Sequence, residues 1–208
     1  MVLFNLKTYP QASGINLDKY LLALHSVVVE YPNLSSSMVV APTITDLFWA
    51  KRNFPELNFC SQRIDVTQSE KSTGLVTTEI LNVMNIDYVF VNHPENKEKN
   101  LTKKLEFLSD KGFKTVVFTT NLDEVKTASK FNPQIIVYEN SKLKINEKTY
   151  NELKNLSTAK FLLYGGGIKK YDDVLNIKKL GFDGIAVGSG FIETDDPKTF
   201  AYEILNLF

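Results

Sequence analysis

Short apolar runs rich in β-branched residues recur along the chain, and each is followed by a stretch in which apolar residues return every three or four positions. The first pattern suits a strand buried on both faces and the second an amphipathic helix. Strands are predicted at Val2–Leu6, Met38–Ala41, Asn58–Ser61, Tyr88–Asn92, Thr115–Thr119, Ile135–Tyr138, Phe161–Tyr164 and Gly184–Val187. Helices are predicted near Leu17–Glu30, Ile44–Asn53, Thr78–Met84, Lys97–Lys111, Leu122–Lys130, Glu147–Asn155, Tyr171–Leu180 and Pro197–Asn206. Eight alternations in 208 residues leave about 26 residues per unit, tight but sufficient for an α/β fold of the (β/α)8 barrel kind. An open doubly wound sheet shares the alternation, but its glycine fingerprint would follow the first strand, where the chain reads Lys7-Thr8-Tyr9-Pro10. The expectation is one barrel domain spanning residues 1–208.

Composition narrows the function. Twenty-four basic residues balance twenty-four acidic ones, so there is no electrostatic footprint for nucleic acid or an anionic membrane, and a small-molecule ligand is expected. The single cysteine, Cys60, excludes an intrachain disulfide and a cysteine-based zinc site. Lacking a nearby histidine, it reads as a small buried apolar residue. Met1 to Leu6 is apolar but is cut short by Lys7, Tyr9 and Pro10, and no apolar run approaches the roughly 18 residues of a membrane span. A cytoplasmic protein is expected.

The chemistry-bearing residues gather at the ends of predicted strands, where barrel enzymes build their sites. Gly165-Gly166-Gly167 follows the seventh strand and Gly188-Ser189-Gly190 the eighth, so bare backbone N–H groups can approach an anion such as a phosphate. His93 closes the fourth strand ahead of a helix whose positive end disfavours a second proton, leaving a neutral ring able to donate to a carbonyl oxygen. Glu139 is carried to the rim by an otherwise apolar strand, and Lys7 ends the first strand in the same layer with Glu95 as a candidate partner. A base, an electrophile and an anion site together point to an enzyme acting on a small phosphorylated molecule. The other histidine, His25, falls inside a helix and reads as ordinary.

Asn5-Leu6-Lys7-Thr8-Tyr9, Val40-Ala41-Pro42, Asn92-His93-Pro94-Glu95-Asn96, Tyr138-Glu139 and the two glycine loops, in that order, resemble the triosephosphate isomerase family, most of all its short archaeal-type members. The resemblance runs from Asn5 to Pro197 and implies a TIM barrel that interconverts dihydroxyacetone phosphate and glyceraldehyde 3-phosphate through an enediol(ate), with no cofactor and no metal. It implies that Asn5 and Lys7 position and stabilise the substrate, that His93 is the neutral electrophile and that Glu139 is the carbon base. Gly165–Gly167 and Gly188–Gly190 would hold the phosphate, and Glu95 would support Lys7. Thr73, in the long loop Gln62–Thr77, would reach across the interface of a homodimer or tetramer.

Two departures stand out. The serine that the family carries after its histidine is Pro94 here, which has neither a hydroxyl nor a backbone N–H. The family's proline-led lid after the glutamate is replaced by Asn140-Ser141-Lys142-Leu143-Lys144-Ile145-Asn146, and twenty-five residues, 140–164, must hold this segment, a helix and a strand. A shortened or missing lid is expected, with slower turnover and loss of intermediate as methylglyoxal. The same glycine loops admit two alternatives: a catalytically degenerate barrel that senses phosphorylated metabolites, and another phosphate-binding barrel enzyme such as a prenyl-glyceryl or indole-glycerol phosphate synthase.

Overall fold

The computed structural model describes residues 1–67, 71–139 and 145–208. Among these residues, eight parallel strands alternate with helices: β1 (Val2–Asn5), α1 (Asp18–Glu30), β2 (Met38–Ala41), α2 (Ile44–Asn53), β3 (Cys60–Ser61), α3 (Thr78–Val83), β4 (Tyr88–Val91), α4 (Leu101–Ser109), β5 (Lys114–Thr119), α5 (Leu122–Ser129), β6 (Ile135–Glu139), α6 (Glu147–Leu156), β7 (Phe161–Gly165), α7 (Tyr171–Leu180), β8 (Gly184–Val187), α8 (Ser189–Ile192) and α9 (Pro197–Leu205). The strand order is β2-β1-β8-β7-β6-β5-β4-β3. The two ends of that order meet through a parallel bridge between Val40 and Phe59, where the Val40 N–H donates to the Asn58 carbonyl at 2.8 Å. The result is a nearly closed (β/α)8 barrel.

Burial on both faces explains why the strands read as unbroken apolar runs. Leu3, Val39, Cys60, Phe90, Val116, Val137, Leu163 and Ala186 fill the interior, while the alternate residues Val2, Phe4, Val40, Val91, Val117, Ile136 and Ile185 pack beneath the helices. Because side chains alternate with a period of two, the inward row of β1 continues from Leu3 to Asn5, that of β6 from Val137 to Glu139, and that of β7 from Leu163 to Gly165. Strand parity therefore carries an amide, a carboxylate and a glycine to one rim.

Helix starts follow their caps. The side chains of Asn100, Asn121, Asn146 and Asp196 accept from the backbone N–H groups of Lys103, Glu124, Thr149 and Thr199, each satisfying a donor that a helix start leaves open. Among the described residues no helix is long and apolar enough to cross a membrane.

The structure corrects several expected boundaries. The fourth helix begins at Leu101 rather than near Lys97, because Asn100 caps it and residues 93–99 form the turn that leaves β4. β4 stops at Val91 because Asn92 adopts a left-handed conformation (φ 63°). β3 shrinks to Cys60–Ser61, the preceding Asn58 using its side-chain amide on the carbonyls of Ser35 and Met38. Gly188-Ser189-Gly190, expected as a loop, opens the four-residue helix α8, with Gly188 as its N-cap.

Candidate active site

Asn5, Lys7, His93, Glu139, Gly166, Gly167, Gly188 and Ser189 line one cleft at the C-terminal rim of the strands. They come from five different strand ends, so only barrel closure brings them together. Gly165 lies just behind the cleft as the last residue of β7, and Gly190 is buried inside α8. A Cβ on Gly190 would stand 2.4 Å from the Ile168 carbonyl oxygen, so that glycine serves close packing of α8 rather than the cleft wall. Thr73 is exposed in the segment after β3 and is not among the residues that line the cleft. Gln68-Ser69-Glu70 of the same loop, and Asn140-Ser141-Lys142-Leu143-Lys144 of the expected short lid, lie outside the described residues.

His93 owes its direction to Asn92. The left-handed turn at Asn92 breaks the strand's alternation, and its side chain is fixed at both ends, donating to the Phe118 carbonyl at 2.9 Å and accepting from the Glu98 N–H at 3.2 Å. The imidazole packs edge-on against Phe118, with ring centroids 4.5 Å apart. Its Nδ1 accepts from the Glu95 backbone N–H at 3.2 Å, which puts the proton of the neutral ring on Nε2. Burial holds the ring pKa down at about 4, with the Lys7 and Lys97 charges acting in the same direction and the Glu95 carboxylate against it. The ring is thus neutral for the reasons of burial and one backbone N–H. The helix end invoked from the sequence lies several residues further on.

Asn5 faces that ring. The Lys7 backbone N–H donates to Asn5 Oδ1 at 3.1 Å, which leaves the Asn5 Nδ2 amide 3.2 Å from His93 Nε2. Two N–H groups therefore converge on the same space, an arrangement best satisfied by an acceptor oxygen between them. Lys7 adds a cation beside them. Its backbone is left-handed (φ 50°), a conformation that costs a residue with a side chain about 1 kcal/mol or more. Its Nζ donates to Glu95 Oε1 at 2.6 Å. Burial opposes the Lys7 charge, yet the hydrogen bond and charge of Glu95 outweigh it and hold the ammonium above the usual lysine pKa.

Gln62 is a site residue that the sequence reasoning missed. Its Nε2 donates to the Lys7 carbonyl at 3.1 Å and the Ala41 carbonyl at 2.9 Å, bracing the strained Lys7 backbone against β2. The available signal was parity: Gln62 follows Cys60 by two on the inward row of β3.

Glu139 ends β6 half-buried, and burial raises its carboxyl pKa, assisted by the Glu95 charge and opposed by Lys7 and Lys97. Gly165 at the end of β7 and Gly166 just after it make room for it. A Cβ on Gly165 would lie 3.4 Å from Glu139 Oε2, and one on Gly166 would lie 3.1 Å from Glu139 Cγ. Gly166 and Gly167 have φ values of 93° and 72°, while a Cβ on Gly188 would approach the Asn5 carbonyl to 3.2 Å. The glycine run thus lodges the carboxylate as much as it bares a backbone. Gly166→Ala is expected to lose about 1 kcal/mol or more of stability from the left-handed backbone and to displace Glu139, lowering catalytic turnover more than its melting temperature implies. Denaturant unfolding and steady-state kinetics on the same preparation check this, and an unchanged turnover number would count against it.

As a chemical device, the cleft combines a carboxylate with raised proton affinity, a neutral N–H donor, an amide N–H, an ammonium and glycine-rich backbone. It can remove a proton from carbon next to a carbonyl whose oxygen is held by the donors.

Comparison with known proteins agrees with that capability. The family model for triosephosphate isomerase matches residues 1–136. A triosephosphate isomerase of Methanobacterium bryantii is 26% identical over 222 residues, covering 99% of this chain and 96% of that protein. One from Methanothermus fervidus is 26% identical over 219 residues, covering 99% and 97%. One from Thermoplasma volcanium is 28% identical over 211 residues, covering 94% of each.

Proposed function

Since the chain belongs to the triosephosphate isomerase family, and is an isomerase by that membership, we propose that it interconverts dihydroxyacetone phosphate and glyceraldehyde 3-phosphate with the residues of the Glu139 cleft. The Glu139 carboxylate takes a proton from the carbon bearing the hydroxyl next to the carbonyl. The electron pair moves onto the carbonyl oxygen, where the Lys7 ammonium, the Asn5 amide and His93 Nε2–H stabilise the enediolate. Transfer of the hydroxyl proton to the former carbonyl oxygen, with return of the abstracted proton to the former carbonyl carbon, gives the aldehyde. Glu95 fixes Lys7, Gln62 braces its backbone, and the backbone of Gly166, Gly167, Gly188 and Ser189 receives the phosphate. The convergence of Asn5, Lys7, His93 and Glu139 with two glycine loops on one cleft is the observation that carries this reading.

The reaction is proposed to be slow and leaky. Seven residues, 140–146, connect β6 to α6. Ile145 packs against the outer core and Asn146 caps α6 through the Thr149 N–H at 2.9 Å. A site that admits water holds its enediolate poorly. The intermediate then expels inorganic phosphate, and the resulting enol tautomerises to methylglyoxal. A coupled assay with glyceraldehyde 3-phosphate, with methylglyoxal quantified in the same tubes, tests both statements. Isomerisation with measurable methylglyoxal is expected. Isomerisation without it would remove the leak, and phosphate-ester binding with no exchange of the carbon-bound proton would remove the enzyme reading in favour of a sensor barrel.

A homodimer or larger homo-oligomer is proposed as the working form. A second cleft, beside the first and sharing Asn5, Lys7 and His93 with it, is lined by Thr8, Thr43, Ile44 and Glu95. Ile44 and Phe48, four apart on α2, are 37% and 53% exposed, and Val66 after β3 is 41% exposed. A second copy covering this face would bury them, with the loop bearing Thr73 in its neighbour's cleft. Light scattering at micromolar concentration is expected to return at least twice the monomer mass, and a monomer would refute the assembly.

A further inference from the structure

The face that α4 turns inward carries Leu101, Leu105 and Leu108 at helical spacing, and with them Lys104, which is only 6% exposed. An ammonium so far from water is costly unless acceptors surround it. Lys104 Nζ donates to the Ile64 carbonyl and pairs with Glu98 Oε1 at 3.2 Å. Each acceptor belongs to a different part of the molecule.

The Glu98 contact leads to the cleft. The backbone N–H of Glu98 donates to Asn92 Oδ1, and Asn92 is the left-handed residue that aims His93. The Ile64 contact leads to the loop after β3. Its neighbour Asp65 closes the base of that loop, accepting from the Val76 N–H at 2.9 Å and donating its own N–H to the Val76 carbonyl at 2.7 Å, while Arg63 pairs with the same carboxylate at 2.6 Å. A polar cavity of about 100 Å³, partly open to solvent, is lined by Ile64 and Asp65 on the loop side and by Asn92, His93 and Glu98 on the turn side, with Lys104 in its wall. Lys104 is a direct link across it.

We propose that Lys104 is a positioning residue that ties the loop after β3 to the turn carrying His93 and, through Glu98 and Asn92, keeps the imidazole aimed into the cleft. With the ammonium removed, the Ile64 carbonyl and the Glu98 carboxylate lose a shared partner, and the turn loses the support at Glu98 that backs the Asn92 hydrogen bonds. The ring would then sample wetter positions in which Nε2–H no longer meets the substrate oxygen. A displacement of this size away from the reacting atoms lowers the rate of chemistry more than the affinity for substrate.

The inference rests on the proposed isomerase reaction, so its test carries one readout that needs no activity. Lys104→Met, Lys104→Arg and Glu98→Gln are compared with the wild type for isomerisation kinetics, and the His93 ring is titrated by NMR. In Lys104→Met, kcat is expected to fall about tenfold or more with KM nearly unchanged, and Lys104→Arg is expected to recover most of the loss. The His93 titration is expected to move upward from the wild-type position near 4. Folded Lys104→Met with wild-type kcat and wild-type His93 titration would overturn the proposal. If Lys104→Met does not fold, Glu98→Gln decides: a lowered kcat with a shifted titration supports the link, and wild-type behaviour in both overturns it. A wild type with no isomerase activity would defeat the proposed reaction, and the His93 titration alone would then decide the role of Lys104.

Discussion

Glu139→Gln is expected to lower kcat/KM by about 10²–10⁴-fold, the range associated with losing a positioned general base. Glutamine has nearly the same shape, so the contacts with Gly165 and Gly166 survive and only the proton acceptor is lost. Burial raises the Glu139 pKa, so its ionised form at neutral pH is a liability for folding that substitution relieves, and the melting temperature is expected to hold or rise. Activity and stability moving apart identify a catalytic carboxylate. Exchange of the substrate's carbon-bound proton with deuterated water should stop in the variant, and exchange at the wild-type rate would exclude Glu139 as the base. The acid limb of the wild-type pH profile should include Glu139, because His93 stays neutral wherever that carboxylate is ionised.

His93→Gln is expected to lower kcat by about 10²–10³-fold, as for removal of one donor to a developing oxyanion. Its Nε2–H meets the Asn5 amide in the space assigned to the substrate oxygen. The variant carries a second, independent signature. In the folded protein the ring binds its proton only below about pH 4, against 6.5 for an unperturbed histidine. Between those values the unfolded chain binds more protons than the folded one, so stability is lost as pH falls from 6.5 towards 4, by about 3 kcal/mol in full. Urea unfolding across this window should show a smaller loss in His93→Gln than in the wild type, a difference that isolates the ring from the carboxylates titrating alongside it. Equal pH slopes in the two proteins would show that the ring is not held neutral by burial.

How much of the site was legible in the chain varies with the kind of interaction. Asn5 and Glu139 follow from strand parity, since an inward apolar row ending in a polar residue places that residue at the rim. Gly166 and Gly188 were visible as bare backbone, but not as room made for Glu139 and for the Asn5 carbonyl. The neutrality of His93 was anticipated for the wrong reason: α4 starts at Leu101, and the ring is held by burial and the Glu95 N–H. Gln62 and Lys104 gave no signal in the chain, because their partners are backbone carbonyls far along it.

By itself, the sequence determined the alternation of strands and helices and the unbroken apolar runs of strands buried on both faces, because each is a pattern among residues within a few positions of one another. It also determined the inventory of chemistry at the strand ends. Only the tertiary structure decided that five strand ends share one cleft, that the sheet closes between β2 and β3 through the Val40–Phe59 bridge, and that a buried lysine joins a loop to the histidine turn. Those are contacts between distant segments. They depend on strand order, on left-handed residues such as Lys7 and Asn92 that redirect the chain, and on the space that neighbouring side chains leave, none of which a periodic pattern encodes.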